Sequence, residues 1–339
     1  MAVNLDIDGH ILWEWQNGTV NNDFVNAGGV ANDGSVILAG STFGGYAAEN
    51  AGSHDFVVIK LDDDGKVLWT WQQDGTDSWD IWNGLAIGED GSVVLAGETD
   101  GSWNATSAGN SDWAAMKLDA EGTVVWKWQD GTDKDDEVFA IAAAGNGSVV
   151  LAGITYGNWS GTNAGSSDFA AVKLDANGTE VWRWQEGSFS FDWIRGAAAL
   201  NEGSVILVGR TDGDFVGTNQ GGGDFVAVEL DTNGTVLWRW QNGTEENDDF
   251  KAVAADKNGR FLMAGDTAGG WNGSNSGAKD FAAVLFDASS TLPPTPFPTS
   301  PSTAEPTGLP PTPSPTSFPS LLDPLDYRPR FFQLHLQLT

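Results

Sequence analysis

The sequence contains no cysteine, which excludes a disulfide framework, a zinc-thiolate site and a thiol nucleophile. Basic residues are also scarce, because 16 Lys and Arg stand against 47 Asp and Glu, a formal net charge of −31. This charge repels nucleic acid and anionic membrane surfaces, so we expect neither as a partner. It permits cations and neutral ligands, and it also serves solubility alone.

Catalytic signals are equally sparse. The three histidines, His10, His54 and His335, never share a repeat position, so no imidazole centre is expected. The sequence has no phosphate-binding glycine loop leading into a helix and no serine elbow. Paired carboxylates are too numerous to single out one acid/base pair. We therefore predict no catalytic or cofactor-binding residues.

Two further absences concern localisation. No apolar run is long enough to span a bilayer, so membrane insertion is not expected. No signal peptide is visible after Met1, which leads directly into repeat sequence.

The dominant feature is Trp-x-Trp-Gln, which occurs five times at steps of 56, 57, 56 and 56 residues. A fixed period of this size indicates a repeat architecture. Residues two apart lie on one face of a strand, so each tryptophan pair needs a neighbouring repeat to cover it. We expect these tryptophans to be structural: Trp13, Trp15, Trp69, Trp71, Trp126, Trp128, Trp182, Trp184, Trp238 and Trp240.

Each repeat reads as four short strands, a to d, joined alternately by tight turns and long loops. The c–d turns carry Asp-Gly, Glu-Gly or Asn-Gly pairs, which favour two-residue hairpins over the alternative of a calcium loop. The pattern predicts an all-β, five-bladed β-propeller of four-stranded antiparallel blades. Strand a, rich in Ala and Gly, is expected to be innermost, and strand d outermost.

We place the propeller at residues 1–289, with the last blade closed by the N-terminal strand d. This closure leaves one surplus c-type strand, which keeps a six- or seven-bladed ring open as an alternative. Residues 290–320 form a Pro/Ser/Thr-rich linker or stalk that is expected to be disordered, and residues 321–339 a short tail of unknown structure.

The run from Asp224 through Trp238 to Gln241-Asn-Gly-Thr, followed by Asp248, resembles the SBBP family of β-propeller repeats. The Gly/Asn-rich connector at residues 213–224 is similar to that family's connector. The resemblance extends over all five copies. It implies the propeller fold and occurrence in secreted bacterial proteins, but no particular activity. More distantly, Leu-Asp-x-x-Gly-x-x-x-Trp is similar to repeats of quinoprotein dehydrogenases.

Both long loops of each repeat, d–a and b–c, fall on one face, where binding sites on rigid scaffolds are usual. An aspartate stands at the start of each strand a on this face. Clustered carboxylates suit calcium, whereas a single aspartate can equally accept N–H bonds within its own turn. The candidate metal residues are Asp23, Asp80, Asp136, Asp192 and Asp248.

An aromatic residue follows strand b by four positions in every copy. Five such rings on one face could stack on a glycan, or each could fill the groove to the next blade. The candidate ligand-binding residues are Tyr46, Trp103, Trp159, Phe215 and Trp271. A second aspartate set, before strand c, is expected to cap loop N–H groups: Asp55, Asp112, Asp168, Asp224 and Asp280.

Eight Asn-x-Ser/Thr sequons would be glycosylated only in a secretory pathway: Asn17, Asn104, Asn146, Asn158, Asn177, Asn233, Asn242 and Asn272. We predict a monomeric, extracellular or cell-surface binding or structural module. Its expected ligand is a glycan or a protein on the long-loop face, with calcium as the candidate stabilising cofactor. The alternative is an enzyme at the propeller axis, either quinoprotein-dehydrogenase-like or a carboxylate hydrolase.

Overall fold

The computed structural model describes residues 1–73, 76–200, 203–271 and 273–287, and the backbone of 333–334. This part of the chain is built of β-strands and contains no α-helix. It therefore also offers no helix that could cross a membrane.

The strands form six sheets, which we number in chain order. Sheet 1 is β1 (Ala2–Leu5) and β2 (Ile11–Trp15). Sheet 2 is β3 (Asp23–Val30), β4 (Val36–Thr42), β5 (Asp55–Leu61) and β6 (Val67–Gln72). Sheet 3 is β7 (Asp80–Ile87), β8 (Val93–Thr99), β9 (Asp112–Leu118) and β10 (Val124–Asp130). Sheet 4 is β11 (Asp136–Ala143), β12 (Val149–Thr155), β13 (Asp168–Leu174) and β14 (Glu180–Glu186).

Sheet 5 is β15 (Asp192–Ala199), β16 (Val205–Thr211), β17 (Asp224–Leu230) and β18 (Val236–Asn242). Sheet 6 is β19 (Asp248–Ala255), β20 (Phe261–Thr267) and β21 (Asp280–Phe286). In sheets 2 to 5 the strands pair in the order a, b, c, d, as expected for four-stranded blades. The first strands of successive sheets pack against one another, so they are innermost. This is a β-propeller arrangement.

The prediction of five blades closed by the N-terminal strand is wrong, because the described strands form six sheets. Strand β2 pairs with β1 and not with β21, so sheet 6 has three strands within the described residues. The reason lies in the packing of Trp13, whose indole Nε1 donates to the carbonyl of Asp63 at 2.7 Å. The β1–β2 hairpin therefore forms the outer strand pair of a separate sheet that precedes sheet 2. Because β1 is then not part of sheet 6, that sheet has no surplus c-type strand within the described residues.

The same contact recurs between later sheets and explains the c–d turn glycines. The indole of Trp69 donates to the carbonyl of Ala120, in the next sheet's turn, at 3.0 Å. A β-carbon on Gly122 would lie 2.8 Å from this indole, and the glycine has a φ of +84°. The turn thus needs glycine for its left-handed backbone and also as room for the preceding sheet's tryptophan. The other pairs are Trp13/Gly65, Trp126/Gly178 and Trp182/Gly234.

All ten doublet tryptophans pack at joints between sheets, as the sequence requires of rings that their own hairpin cannot cover. The centre of each joint is strand c. Its first aromatic, Phe56, Trp113, Phe169 or Phe225, is fully buried against the next sheet.

The predicted stalk at 290–320 lies outside the described residues. Of the predicted tail at 321–339, only the backbone of β22 (Gln333–Leu334) is described, and it pairs in parallel with β3.

Candidate functional site

Each aspartate at the start of strand a accepts hydrogen bonds from its own turn and from strand b. Asp136 Oδ2 accepts the backbone N–H of Thr132 at 2.5 Å. Asp80 Oδ1 accepts the hydroxyl of Thr99 at 2.5 Å. Asp80, Asp136, Asp192 and Asp248 are buried, whereas Asp23 is exposed. These contacts fit the turn-capping interpretation, and calcium binding by this set stays a prediction.

Burial determines the electrostatics of these aspartates. It raises the pKa of Asp80 and of Asp136 to about 6 and the pKa of Asp192 to about 7. Burial also raises the pKa of Asp248. A charged carboxylate is disfavoured away from water, and the neighbouring aspartate of strand c raises the pKa further.

The structure brings four members of each aspartate set together in pairs, one pair at each joint from sheets 2 and 3 to sheets 5 and 6, whereas Asp23 and Asp280 form no such pair within the described residues. At Gly131, a β-carbon would lie 2.4 Å from Asp112 Oδ1 and 2.9 Å from Asp136 Oδ2. Only a glycine fits between the two carboxylates, which explains Gly131, Gly187 and Gly243. The pairs are Asp55/Asp80, Asp112/Asp136, Asp168/Asp192 and Asp224/Asp248.

The glutamine of Trp-x-Trp-Gln is the residue that sequence reasoning missed. Gln129 Oε1 accepts the backbone N–H groups of Trp103, Asn104 and Ala105 at 2.9, 2.8 and 3.1 Å. Its Nε2 donates to Asp112 Oδ2 and to the carbonyl of Gly101, both at 2.8 Å. One side chain therefore holds the b–c loop onto strands c and d. Gln72, Gln185 and Gln241 make the equivalent contacts. The signal was its recurrence after every tryptophan doublet.

The five loop aromatics lie between sheets and not on an open surface. Trp103 is 8% exposed and packs edge-on against Phe56, with ring centroids 5.1 Å apart. Trp159 meets Trp113 in the same way at 4.5 Å. Phe215 lies against Phe169, Trp271 against Phe225, and Tyr46 near the tryptophans of sheet 1. These contacts favour the packing interpretation, with Phe215 also open to a groove.

That groove, about 510 Å³ in volume, runs between the long loops of sheets 4 and 5. Phe215 and Val216 supply its apolar wall, and Val216 is 48% exposed. Gly161 and Thr162 also line it. At its outer rim, Arg239 Nε donates to Glu186 Oε2 at 2.8 Å. The groove therefore combines an apolar wall with hydrogen-bonding groups of both kinds.

Three metal-ligating side chains in the described part of the chain are close enough to share an ion: Asp6, Asp8 and His10. They lie on the tight-turn face, in the β1–β2 turn. Asp6 Oδ1 accepts the N–H groups of Asp8 and His10 at 2.9 and 2.8 Å, so its role is that of the turn aspartate in the other hairpins.

Comparison with known proteins gives one relative and several structures. No protein-family model matches the chain, so the SBBP resemblance stays a prediction. The chain is 27% identical over 207 residues to the regulatory protein FlaEY of Caulobacter vibrioides, covering 54% of this chain and 22% of that protein. It thus spans less than a quarter of that relative's length.

The similar solved structures share little sequence. The Pan2 WD40 domain of Neurospora crassa has 11% identity and a TM-score of 0.41, covering 77% of this chain and 60% of that one. The β-propeller domain of the Trilobed protease of Pyrococcus furiosus has 8% identity and a TM-score of 0.42, covering 78% and 70%. A gluconolactonase of Xanthomonas campestris has 13% identity and a TM-score of 0.40, covering 71% and 68%. At these values the likenesses carry no argument about activity or ligand.

Proposed function

We propose that the chain is a non-catalytic, extracellular or cell-surface binding module that takes a glycan on its long-loop face. The observation that carries the proposal is the groove between sheets 4 and 5. A sugar offers an apolar ring face surrounded by hydroxyl groups. The groove offers Phe215 and Val216 on one side, with Thr162, Glu186 and Arg239 as hydrogen-bonding groups.

The electrostatics of the chain support a neutral or weakly charged ligand. With a net charge of −31, long-range attraction of an anionic polymer is excluded as the source of affinity. Recognition must then come from contacts within a groove, which is how small-ligand sites ordinarily work.

A glycan array tests the proposal with the wild-type chain and two variants. Val216→Trp fills the groove without touching its buried floor, so binding should fall at least about tenfold. Ala47→Trp is the matched control, because Ala47 is exposed at the equivalent loop position of sheet 2 and donates its N–H to Gln72 at 2.7 Å.

The result that supports the proposal is saturable glycan binding that Val216→Trp removes and Ala47→Trp leaves unchanged. An array on which the wild-type chain binds nothing contradicts the proposal. Equal loss in both variants assigns the binding to another surface.

A further inference from the structure

A second feature of the long-loop face lies nearer the axis, where sheet 5 departs from the other repeats. Its d–a loop reads Ser188-Phe-Ser-Phe191, while the position of Phe189 is held in the other copies by Val20, Asp77, Asp133 and Glu245. An acidic or small residue is thus replaced by phenylalanine. Phe189 is 93% exposed and Phe191 39% exposed. Leaving large aromatic rings in water is unfavourable and marks an interaction site when polar groups surround them.

Next to Phe191 lies a second residue that is specific to sheet 5, Trp193. Its ring stacks on Phe191 with centroids 5.3 Å apart and an interplanar angle of 10°. In the other sheets the position of Trp193 is Phe24, Ile81, Glu137 and Asp249. Residues that differ between repeats are not required by the blade itself, so they are free to serve a ligand.

Two guanidinium groups lie against the same indole. The guanidinium carbon of Arg210 is 5.5 Å and that of Arg195 5.8 Å from the ring centre of Trp193. Arg195 also lies 5.6 Å from the ring of Phe139 in sheet 4 and makes an ion pair with Asp249 in sheet 6. Side chains of three sheets therefore converge at the inner end of this face.

The charges here differ from those of the chain as a whole. Four cationic side chains form ion pairs with three carboxylates: Arg195, Arg210, Lys251 and Lys279 with Asp212, Asp249 and Asp266. Buried Asp248 also faces Arg210. These four cations are a quarter of the 16 basic residues of the chain, and each lies beside a carboxylate.

Arg210 has donors to spare. Its Nε donates to Asp212 Oδ1 at 2.5 Å. Within the described residues, its two terminal nitrogens enter no ion pair or hydrogen bond. The side chain is 22% exposed. A planar guanidinium fork pairs most strongly with a carboxylate.

We propose that Phe189, Phe191 and Arg210 form a binding site for a carboxylate carried on a six-membered ring. The carboxylate pairs with the terminal nitrogens of Arg210, and the ring packs on the exposed phenyl groups of Phe189 and Phe191. Trp193 and Arg195 hold Phe191 and Arg210 in place. This site is separate from the groove at Val216 and does not depend on the glycan proposal.

The test measures the binding of two acids, glucuronate and benzoate, and of the neutral compounds glucose and cyclohexanol, by calorimetry and ligand-observed NMR. The two acids distinguish an acidic sugar from an aromatic acid as the source of the carboxylate. Arg210→Gln should lower the affinity for the acid at least about tenfold, because the substitution removes a charge-assisted pair. Arg260→Gln is the charge control, since Arg260 pairs with Asp256 on the opposite face.

Phe189→Ser tests the ring contact, with Val20→Ser as its control at the equivalent loop position, where Val20 is 101% exposed. Both side chains are in solvent, so neither change should affect folding. We expect weaker acid binding in Phe189→Ser only, and a further loss at high salt.

The proposal is overturned if neither acid binds saturably, if neutral compounds bind as well as the acids, or if Arg210→Gln and Arg260→Gln behave alike. The two proposals are tested independently. If Val216→Trp does not alter glycan binding, the result for the acids is unaffected.

Discussion

The side-chain amide of Gln129 joins the carboxylate of Asp112, with 2.8 Å between Nε2 and Oδ2. The two residues are 17 positions apart and belong to neighbouring strands, β10 and β9. Because the same glutamine accepts three loop N–H groups, it connects the outer strand, the strand-c aspartate and the long loop. The long-loop face is therefore held rigid by a residue that belongs to the tryptophan motif.

Replacing Gln129 with methionine should destabilise the chain by about 2–4 kcal/mol, because three loop N–H groups lose their acceptor and Asp112 loses one of its donors. Gln16→Met is the control, since Gln16 ends an equivalent doublet but is exposed. The free energies of unfolding from urea titrations compare the two. Equal values for the variants would contradict the role assigned to Gln129.

Gly122→Ala should lower the free energy of unfolding by more than the cost of placing alanine in a left-handed backbone conformation. The added β-carbon would lie 2.8 Å from the indole of Trp69, in addition to the unfavourable φ of +84°. Gly9→Ala separates the two effects, because Gly9 has a φ of +83° and no atom near the added carbon. We expect about 1 kcal/mol for Gly9→Ala and about 2–4 kcal/mol for Gly122→Ala. Thermal unfolding followed by tryptophan fluorescence measures both.

Much of the fold could be predicted from the sequence because the repeat is strict. Tryptophan doublets, turn glycines and the alternation of short and long connections each occur five times, so one copy interprets the others. The four-stranded sheets 2 to 5 follow from this pattern. The neighbouring-sheet contacts of the tryptophans follow from their two-residue spacing, because one hairpin cannot bury both rings.

The ends of the array could not be predicted in the same way. The same sequence pattern is compatible with two arrangements: β2 paired with β21, or Trp13 packed on sheet 2. Nothing in the pattern distinguishes these two arrangements. The cluster of Trp193, Arg195 and Arg210 could not be predicted either, because it does not belong to the repeat. Its residues, such as Trp193 and Arg210, do not recur, so a search for shared positions passes over them.

Stability should fall as the pH rises from about 5 to about 8. The folded-state pKa of Asp80 and of Asp136 is about 6 and that of Asp192 about 7, above the ordinary aspartate value of 3.8. Between the unfolded-state pKa and the folded-state pKa of these aspartates, the folded chain binds more protons than the unfolded chain. The associated stability is fully present below the unfolded pKa and is lost as the pH rises through the folded pKa.

The measurement is the melting temperature of the wild-type chain and of two variants across this pH range. Asp136→Asn removes one buried titrating group and should flatten the dependence. Asp133→Asn removes the same charge from an exposed position, so it corrects for net charge alone. A wild-type melting temperature that rises towards pH 8, or equal slopes for the two variants, would rule out control by the buried aspartates.

Phe281 and Phe225 occupy the same position of strand c, yet Phe281 is 103% exposed and Phe225 is fully buried. Phe225 lies 4.3 Å from Phe250 and 4.2 Å from Trp271 of the next sheet, between ring centroids, whereas no sheet of the described residues packs over Phe281. Phe225→Ala should therefore cost about 3–5 kcal/mol, and Phe281→Ala less than about 0.5 kcal/mol. Urea titrations of both variants measure this difference. A ring closed over sheet 6 would bury Phe281 as the other joints bury Phe225, so a similar cost at both positions would exclude the open end of sheet 6.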